Sequence, residues 1–406
     1  MTPTFADLGV PSDLVAALAT GGITEPFPIQ AATLPDALAG RDVSGRAPTG
    51  SGKTIAFGLP LAARVRPSKP KRPRALVLAP TRELAAQIER ELRPLLTARD
   101  RSVRAVYGGV GYDAQRRALR RGVDVLVACP GRLQDLIEQH AVDLRSVEIV
   151  VIDEADRMAD MGFLPAVRKL LDTTSVDRQT LLFSATLDGD VASLVREYQT
   201  DPVVHEVGPD ALEMPNAEHV FLRVERNERV ARAADVLADA SSAIVFVRTR
   251  HGVDRTTAQL ERAGVSAVAI HGGHAQNKRD RALASFTRGA SRVLVATDVA
   301  ARGIHVDGVE FVLHFDVPED AKTYLHRSGR TARAGADGKV VSFVGAEQVR
   351  DVRAIQESLG LPLMDHAHGH APTTPTAKKR TGGQSRGNRF EQRPRQGGRR
   401  RSGTRS

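Results

Sequence analysis

Short runs of consecutive apolar residues alternate along this chain with stretches of helical periodicity. Residues 75–79 read Ala-Leu-Val-Leu-Ala and precede a helix-like stretch at 81–98. Residues 123–128 precede a second such stretch at 131–140, residues 147–152 end at a cluster of acids, and residues 180–183 form another run. Unbroken apolar runs, rather than alternating ones, mark strands buried on both faces, as in a parallel sheet covered by helices on either side. The alternation breaks at residues 208–216, which hold two prolines and no periodicity, and a linker is expected there. A second series of runs follows at 220–224, 243–247, 267–270, 292–296, 309–315 and 339–344. The pattern stops after about Leu363, and Phe390 is the only aromatic beyond it. A segment this poor in apolar groups cannot offset its ordering entropy, so disorder is expected. The expected architecture is therefore α/β: a first domain over residues 1–207, a linker over 208–217, a second domain over 218–363 and a basic tail over 364–406.

Composition narrows the class. Of 406 residues, 41% are hydrophobic and 26% charged, which is ordinary for a globular chain with room for two or three cores. No run of 18 apolar residues suggests a membrane span, and the N-terminal residues carry no basic-then-apolar pattern of a secretory signal. The single cysteine, Cys129, cannot build an internal disulfide framework, which fits a reducing cytoplasm. It is read as a small buried hydrophobe and not as a catalytic thiol. The net charge of +10 sits wholly from Ala371 onward, where eleven Lys/Arg face one acid, Glu391. The preceding residues balance to zero, so any nucleic-acid preference of the folded part must come from local sites.

The first such site is Ala47, Pro48, Thr49, Gly50, Ser51, Gly52, Lys53 and Thr54. It lies between a strand-like run at 42–46 and a helical pattern at 55–65, the context a phosphate loop needs. Its glycines let backbone N–H groups turn inward around phosphate oxygens, and the helix N-terminus adds partial positive charge. Lys53 would reach the β/γ-phosphates and the Thr54 hydroxyl would bind Mg²⁺. The second site is the strand 149–152 delivering Asp153, Glu154 and Asp156, at the edge where open α/β sheets bind ligands. Asp153 can hold Mg²⁺ and Glu154 can polarise an attacking water. A strand running into a solvated acidic helix start is the plain alternative. Together the two sites point to ATP or GTP hydrolysis. Gln30, before a helical start, offers the donor and acceptor pair that matches adenine N6 and N7.

Several further motifs then fall in one order. Asp153-Glu-Ala-Asp156 is the sequence that names the DEAD-box proteins, and Gly22 to Gln30 resembles that family's Q motif, with Ile23 inside it and Phe5 as the isolated upstream aromatic. Ala47 to Thr54 resembles motif I. Pro80, Thr81 and Arg82 open a stretch like motif Ia, Gly108 and Gly109 resemble the GG motif, and Pro130, Gly131 and Arg132 resemble motif Ib. Ser184, Ala185 and Thr186 form the third-motif triad. Arg248 lies in a run like motif IV, Gln276 and Arg279 in one like QxxR, Thr297 in one like motif V, and His326, Arg330 and Arg333 in one like motif VI. The wording is most similar to the bacterial RhlE-type subgroup.

The resemblance implies two tandem RecA-like domains that bind ATP and Mg²⁺ between them and RNA alongside. Lys53, Glu154, Arg330 and Arg333 would be catalytic, the two arginines reaching the γ-phosphate on domain closure. The ATP contacts would be Phe5, Ile23, Gln30, the loop 47–54 and Asp153, with Thr54 and Asp153 on the metal. Ser184, Ala185, Thr186, Asp156 and His326 would couple ATP state to strand separation. Pro80, Thr81, Arg82, Gly108, Gly109, Pro130, Gly131, Arg132, Arg248, Gln276, Arg279 and Thr297 would hold RNA by its backbone, with little sequence preference. The resemblance has three departures: Ile23 where an aromatic is usual, Cys129 where Thr is usual, and His305 where Asp is usual. The expected protein is a cytoplasmic, monomeric RNA-stimulated ATPase that unwinds short duplexes, with ribosomal or RNA-decay complexes as possible company. An RNA clamp with incidental ATPase and a DNA translocase are the competing readings. The tail would add salt-sensitive phosphate affinity, or serve only solubility.

Overall fold

Thirteen strands form two wholly parallel sheets in a computed structural model that describes residues 3–48, 50–207, 217–301, 306, 308–332 and 337–363. The first sheet comprises β1 (Val43–Arg46), β2 (Ala75–Leu78), β3 (Val103–Val106), β4 (Val125–Ala128), β5 (Ile149–Asp153), β6 (Gln179–Ser184) and β7 (Val203–Glu206). Its order is β3-β4-β2-β5-β6-β1-β7. The second comprises β8 (Glu218–Arg223), β9 (Ala243–Phe246), β10 (Ala267–Ile270), β11 (Val293–Ala296), β12 (Phe311–His314) and β13 (Lys339–Val344), in the order β10-β11-β9-β12-β13-β8. Both sheets belong to one compact unit. No helix among the described residues is long and apolar enough to cross a membrane.

The unbroken apolar runs explain the layers. Successive side chains of a strand point to opposite faces. In β2, Ala75 and Val77 join one core while Leu76 and Leu78 join the other, and β5 divides in the same way. In the second sheet Ala243 and Val245 of β9 face one core, and Ile244 and Phe246 the other. Each sheet is thus covered on both faces, as the sequence implied. Two strands were not legible as apolar runs, β3 and β7, and both are edges of the first sheet. β3 carries the exposed Arg104, and β7 alternates half-buried with exposed residues. An edge strand buries less, so its sequence carries a weaker signal. The expected linker and the expected basic tail lie outside the described residues, apart from Ala217.

Candidate functional site

Because every strand of the first sheet runs the same way, every strand C-terminus opens on one edge of the sheet. β5, β6 and β1 are neighbours, so Asp153, Ser184 and the loop that begins at Ala47 emerge side by side. In that loop Gly50 and Gly52 hold φ of +85° and +88°, the left-handed region that suits glycine. A Cβ on Gly52 would also come within 2.5 Å of both Gln30 Nε2 and Phe27 Cδ2. Lys53 opens the helix Lys53–Arg64, is nearly buried, and donates through Nζ to the carbonyls of Ala47 at 2.8 Å and Pro48 at 3.3 Å. Ser51 Oγ donates to the same Pro48 carbonyl at 2.8 Å. The loop thus closes around the lysine ammonium. Thr54 sits in the first helical turn, and Thr49 lies outside the described residues.

Asp153 ends β5 in full burial. Desolvation pushes its carboxyl up to about 7, against the pull of the Lys53 charge and with a further push from Glu154. A carboxylate so placed gains from a cation. The Asp153 carboxylate and the Thr54 hydroxyl are oxygen donors of the kind a hard divalent ion such as Mg²⁺ takes. Glu154 follows in a left-handed backbone conformation, φ 53° and ψ 52°, and pairs with Arg157. Asp156 donates its backbone N–H to Ser184 Oγ at 3.1 Å, and the Ser184 carbonyl accepts the Ala47 N–H at 3.0 Å. One buried serine therefore ties the acidic strand end to the phosphate loop. Ala185 and Thr186 follow it, half-buried.

Gln30 is spent in two directions. Its Oε1 accepts the Phe27 N–H and its Nε2 donates to the Gly52 carbonyl, both at 2.9 Å. An amide has two lone pairs and two N–H groups, so one of each is left for a nucleobase edge. Phe27 caps the helix Pro28–Ala39 with no side-chain bond, at a position that favours Ser, Thr, Asp or Asn. It is nonetheless 56% exposed, with its ring beside Gly52. The sequence reading did not single it out; a large aromatic at a helix start was the available signal. Ile23 is half-buried against the first core, and Phe5 is only 2% exposed inside it. Phe5 therefore shows its ring to core neighbours rather than to open space.

The other half of the same edge belongs to β3, β4 and β2. Pro80 leads to Thr81, whose Oγ1 accepts the Leu84 N–H at 3.3 Å and caps the helix Arg82–Thr97. The Arg82 guanidinium lies on the Gly108-Gly109 backbone, where a Cβ on Gly109 would sit 2.0 Å from Nη1. Arg132 donates both Nη atoms to the Val110 carbonyl at 3.1 Å and stacks 3.9 Å from the Tyr112 ring centre. Pro130 and Gly131 open the helix Pro130–Glu138, and a Cβ on Gly131 would meet open space. Cys129 caps that helix, and burial followed by the Glu83 charge pushes its thiol up to about 12. It stays neutral at physiological pH, in keeping with a packing role.

In the second domain Gln276 and Arg279 occupy one side of the helix Gln276–Thr287 and turn to the first domain. Gln276 Nε2 donates to Glu83 Oε1, and Arg279 meets Glu83 Oε2, both at 2.9 Å. Gln276 Oε1 and Arg279 Nε keep no hydrogen-bond partner. Lys322 and Asp160 make another bridge between the domains at 2.8 Å. Arg248 is exposed, 3.7 Å from Glu319, and Thr297 is nearly buried before the short helix Asp298–Ala301. His326 lies in the helix Ala321–Ser328, and Arg330 is nearly buried just beyond it. Arg327, which the sequence reading passed over, grips Asp298 with two bonds of 2.6 and 2.7 Å and the Asp316 carbonyl with a third. Arg333 and His305 lie outside the described residues.

Comparison with known proteins agrees with this layout. Residues 27–194 match the DEAD/DEAH box helicase family, and residues 228–335 match the helicase conserved C-terminal domain. The chain is 41% identical over 409 residues to DEAD-box ATP-dependent RNA helicase 30 of Arabidopsis thaliana, covering 97% of this chain and 68% of that one. It is 40% identical over 361 residues to DEAD-box ATP-dependent RNA helicase CshA of Bacillus subtilis, covering 88% and 73%. Among solved structures, S. cerevisiae Dbp5 bound to RNA and ADP BeF3 matches at 28% identity with a TM-score of 0.77, covering 88% of this chain and 93% of that one.

Proposed function

The chain belongs to the DEAD-box family and is an ATP-dependent RNA helicase; on that premise we propose how its residues divide the reaction. The nucleotide lies along the β5-β6-β1 edge. Lys53 exchanges its two loop carbonyls for β/γ-phosphate oxygens, and the Ala47-to-Thr54 backbone cradles the chain of phosphates. Thr54 and Asp153 hold Mg²⁺, which would neutralise phosphate charge when bound. Glu154 orients the attacking water and takes its proton. Gln30, with its spare donor and acceptor, reads the adenine edge, while Phe27 offers its open ring face to the base. Arg330 and Arg333 complete the charge around the γ-phosphate from the second domain.

RNA follows the β3-β4-β2 edge. Arg82, Gly108, Gly109, Pro130, Gly131 and Arg132 shape its track in the first domain, and Arg248, Gln276, Arg279 and Thr297 in the second. The unpartnered Gln276 Oε1 and Arg279 Nε are a spare acceptor and donor of the kind a ribose hydroxyl and a phosphate would use. Ser184, with Asp156, Ala185, Thr186 and His326, relays the nucleotide state to this track, and short duplexes are opened or RNA–protein contacts remodelled as a result. We assign the protein to the RhlE-type subgroup on the wording of residues 22–30 and 326–335, and to the cytoplasm as a monomer. Residues 1–207 and 218–363 make up its two RecA-like domains, and the tail from residue 364 adds salt-sensitive RNA affinity.

The observation that carries this reading is the double tie of Ser184 to Asp156 and to Ala47, which makes one assembly of three sequence-distant motifs. The test is ATP turnover with RNA, with DNA of equal length and with neither. Stimulation by RNA above DNA is expected, with Glu154→Gln lowering kcat by about 10²–10⁴-fold. Equal stimulation by DNA would instead mark a DNA translocase, and RNA remodelling retained in Lys53→Ala would mark a clamp.

A further inference from the structure

At the end of β10, away from the nucleotide edge, the chain reads His271-Gly-Gly-His274. Both imidazoles lean on one carboxylate from the helix Arg250–Arg262. His271 Nε2 lies 3.0 Å from Asp254 Oδ2, and His274 Nε2 lies 3.0 Å from Asp254 Oδ1. The two rings pack with centroids 3.7 Å apart and are only 5% and 9% exposed, while Asp254 opens to solvent. One ligand atom from each of the three residues lies within 4.8 Å of the others.

Hydrogen bonding alone does not satisfy this group. His274 Nε2 faces two partners with opposite demands. Asp254 Oδ1 needs a proton on that nitrogen, whereas Lys278 Nζ, at 2.8 Å, needs its lone pair. Whichever partner is served, the other contact is unfavourable. The second ring nitrogen, Nδ1, is buried with no hydrogen-bond partner.

We propose that Asp254, His271 and His274 form a binding site for one divalent transition-metal ion of the zinc class. Two imidazoles and one carboxylate favour such an ion over Mg²⁺ or Ca²⁺, which prefer all-oxygen sites. A tetrahedral ion with bonds of about 2.0 Å keeps its ligands roughly 3.3 Å apart, so 3.0 Å contacts need only small movements. The ion takes the Nε2 lone pair of His274 and an oxygen of Asp254. Lys278 swings into the solvent it already faces. His271 now accepts a Gly273 N–H at Nδ1, 3.1 Å away. To ligate through Nε2 it must move its proton to Nδ1, and the Gly272-Gly273 peptide must turn away. That adjustment weakens binding, and three protein ligands leave a fourth position for water. The site roots the helix that begins at Gln276, so an ion there would stiffen the base of the Glu83 clamp.

The test is a titration of the full chain with Co²⁺, followed visibly, and then Zn²⁺ in competition. His366, His368 and His370 are replaced by Asn so that the tail contributes no imidazole. One ion per chain is expected, with Zn²⁺ displacing Co²⁺ and raising Tm. Removing an outer partner of a metal site typically weakens binding about 10–100-fold, and removing a direct ligand should cost no less. Asp254→Asn and His274→Ala should therefore each weaken binding at least tenfold and abolish the Tm rise, with Mg²⁺-supported, RNA-stimulated ATPase unchanged when neither Co²⁺ nor Zn²⁺ is added. Asp254 is exposed, so its variant keeps the test valid should His274→Ala misfold. Affinity unchanged in Asp254→Asn, or no binding at all, would overturn the proposal.

Discussion

At the β5-β6-β1 edge of the first domain, the groups proposed to hold ATP bond mainly to one another and to backbone: Ser184 to Asp156 and Ala47, Gln30 to Gly52, Lys53 to two loop carbonyls. The second domain is arranged otherwise. There the cations are held by acids, Arg327 by Asp298 and Arg279 by Glu83 across the domain boundary. The first arrangement loses a hydrogen bond when a partner is removed, about 1–3 kcal/mol. The second strands a buried charge, about 3–5 kcal/mol. The phosphate edge is thus preassembled and tolerant, whereas the cross-domain contacts are costly to break and suited to an all-or-none change of state.

The sharpest probe of this contrast is Glu83→Ala. It removes the partner of both Gln276 and Arg279, and should destabilise the joined domains by about 3–5 kcal/mol in urea unfolding. A loss below about 1 kcal/mol would erase the difference between the two regions. Asp153→Asn comes next, in the opposite direction. The Asp153 carboxyl titrates near 7 folded against an ordinary 3.8, so the folded state holds its proton more tightly. The stability this gives is full below about pH 4 and is lost as pH rises through 7. Without nucleotide, the Asn variant should exceed wild type by roughly 2–4 kcal/mol at pH 8 and match it near pH 4, read as Tm across the range. A pH-independent difference would mean that the burial of Asp153 carries no charge penalty.

Smaller effects refine the picture of the first domain. Ser184→Ala leaves the buried Asp156 N–H without its acceptor and should cost about 1–3 kcal/mol, with ATP affinity reduced alongside. Phe27→Ala should raise the KM for ATP about fivefold, on the order of 1 kcal/mol, with kcat nearly unchanged. Because the chain has no tryptophan, Phe27→Trp would place a single tryptophan, excited apart from the tyrosines, at the proposed base site. A signal indifferent to ADP would exclude position 27 from contact with the base.

Much of this arrangement was readable in advance, and the limits have physical causes. β5 was legible because a doubly covered strand must be apolar throughout, and the acids after it stand out against that run. The phosphate loop was legible because its glycines answer a backbone need. β3 and β7 were not, because edge strands bury less. The Glu83 clamp was invisible because Gln276 lies 193 positions from its partner, and no local pattern encodes such a pairing. Arg327 was hidden for a similar reason: inside a basic run, only Asp298, 29 positions away, shows that one arginine braces the fold. Phe27 was legible in principle and overlooked, since an aromatic at a capping position already breaks a local rule.

Glu154 carries a burden of a different kind. Its left-handed backbone costs a residue with a Cβ roughly 1–2 kcal/mol, a penalty Gly would largely escape and Asn would partly relieve. The residue proposed to activate water therefore sits where its own chemical type is a poor conformational match. Glycine there would relieve the backbone but would also remove the carboxylate that pairs with Arg157, and losing one partner of a nearly buried ion pair costs more than the strain returns. The strained conformation is thus held in place by the side chain that suffers it, and a library at this single codon screened for folding should retain glutamate even before turnover is tested.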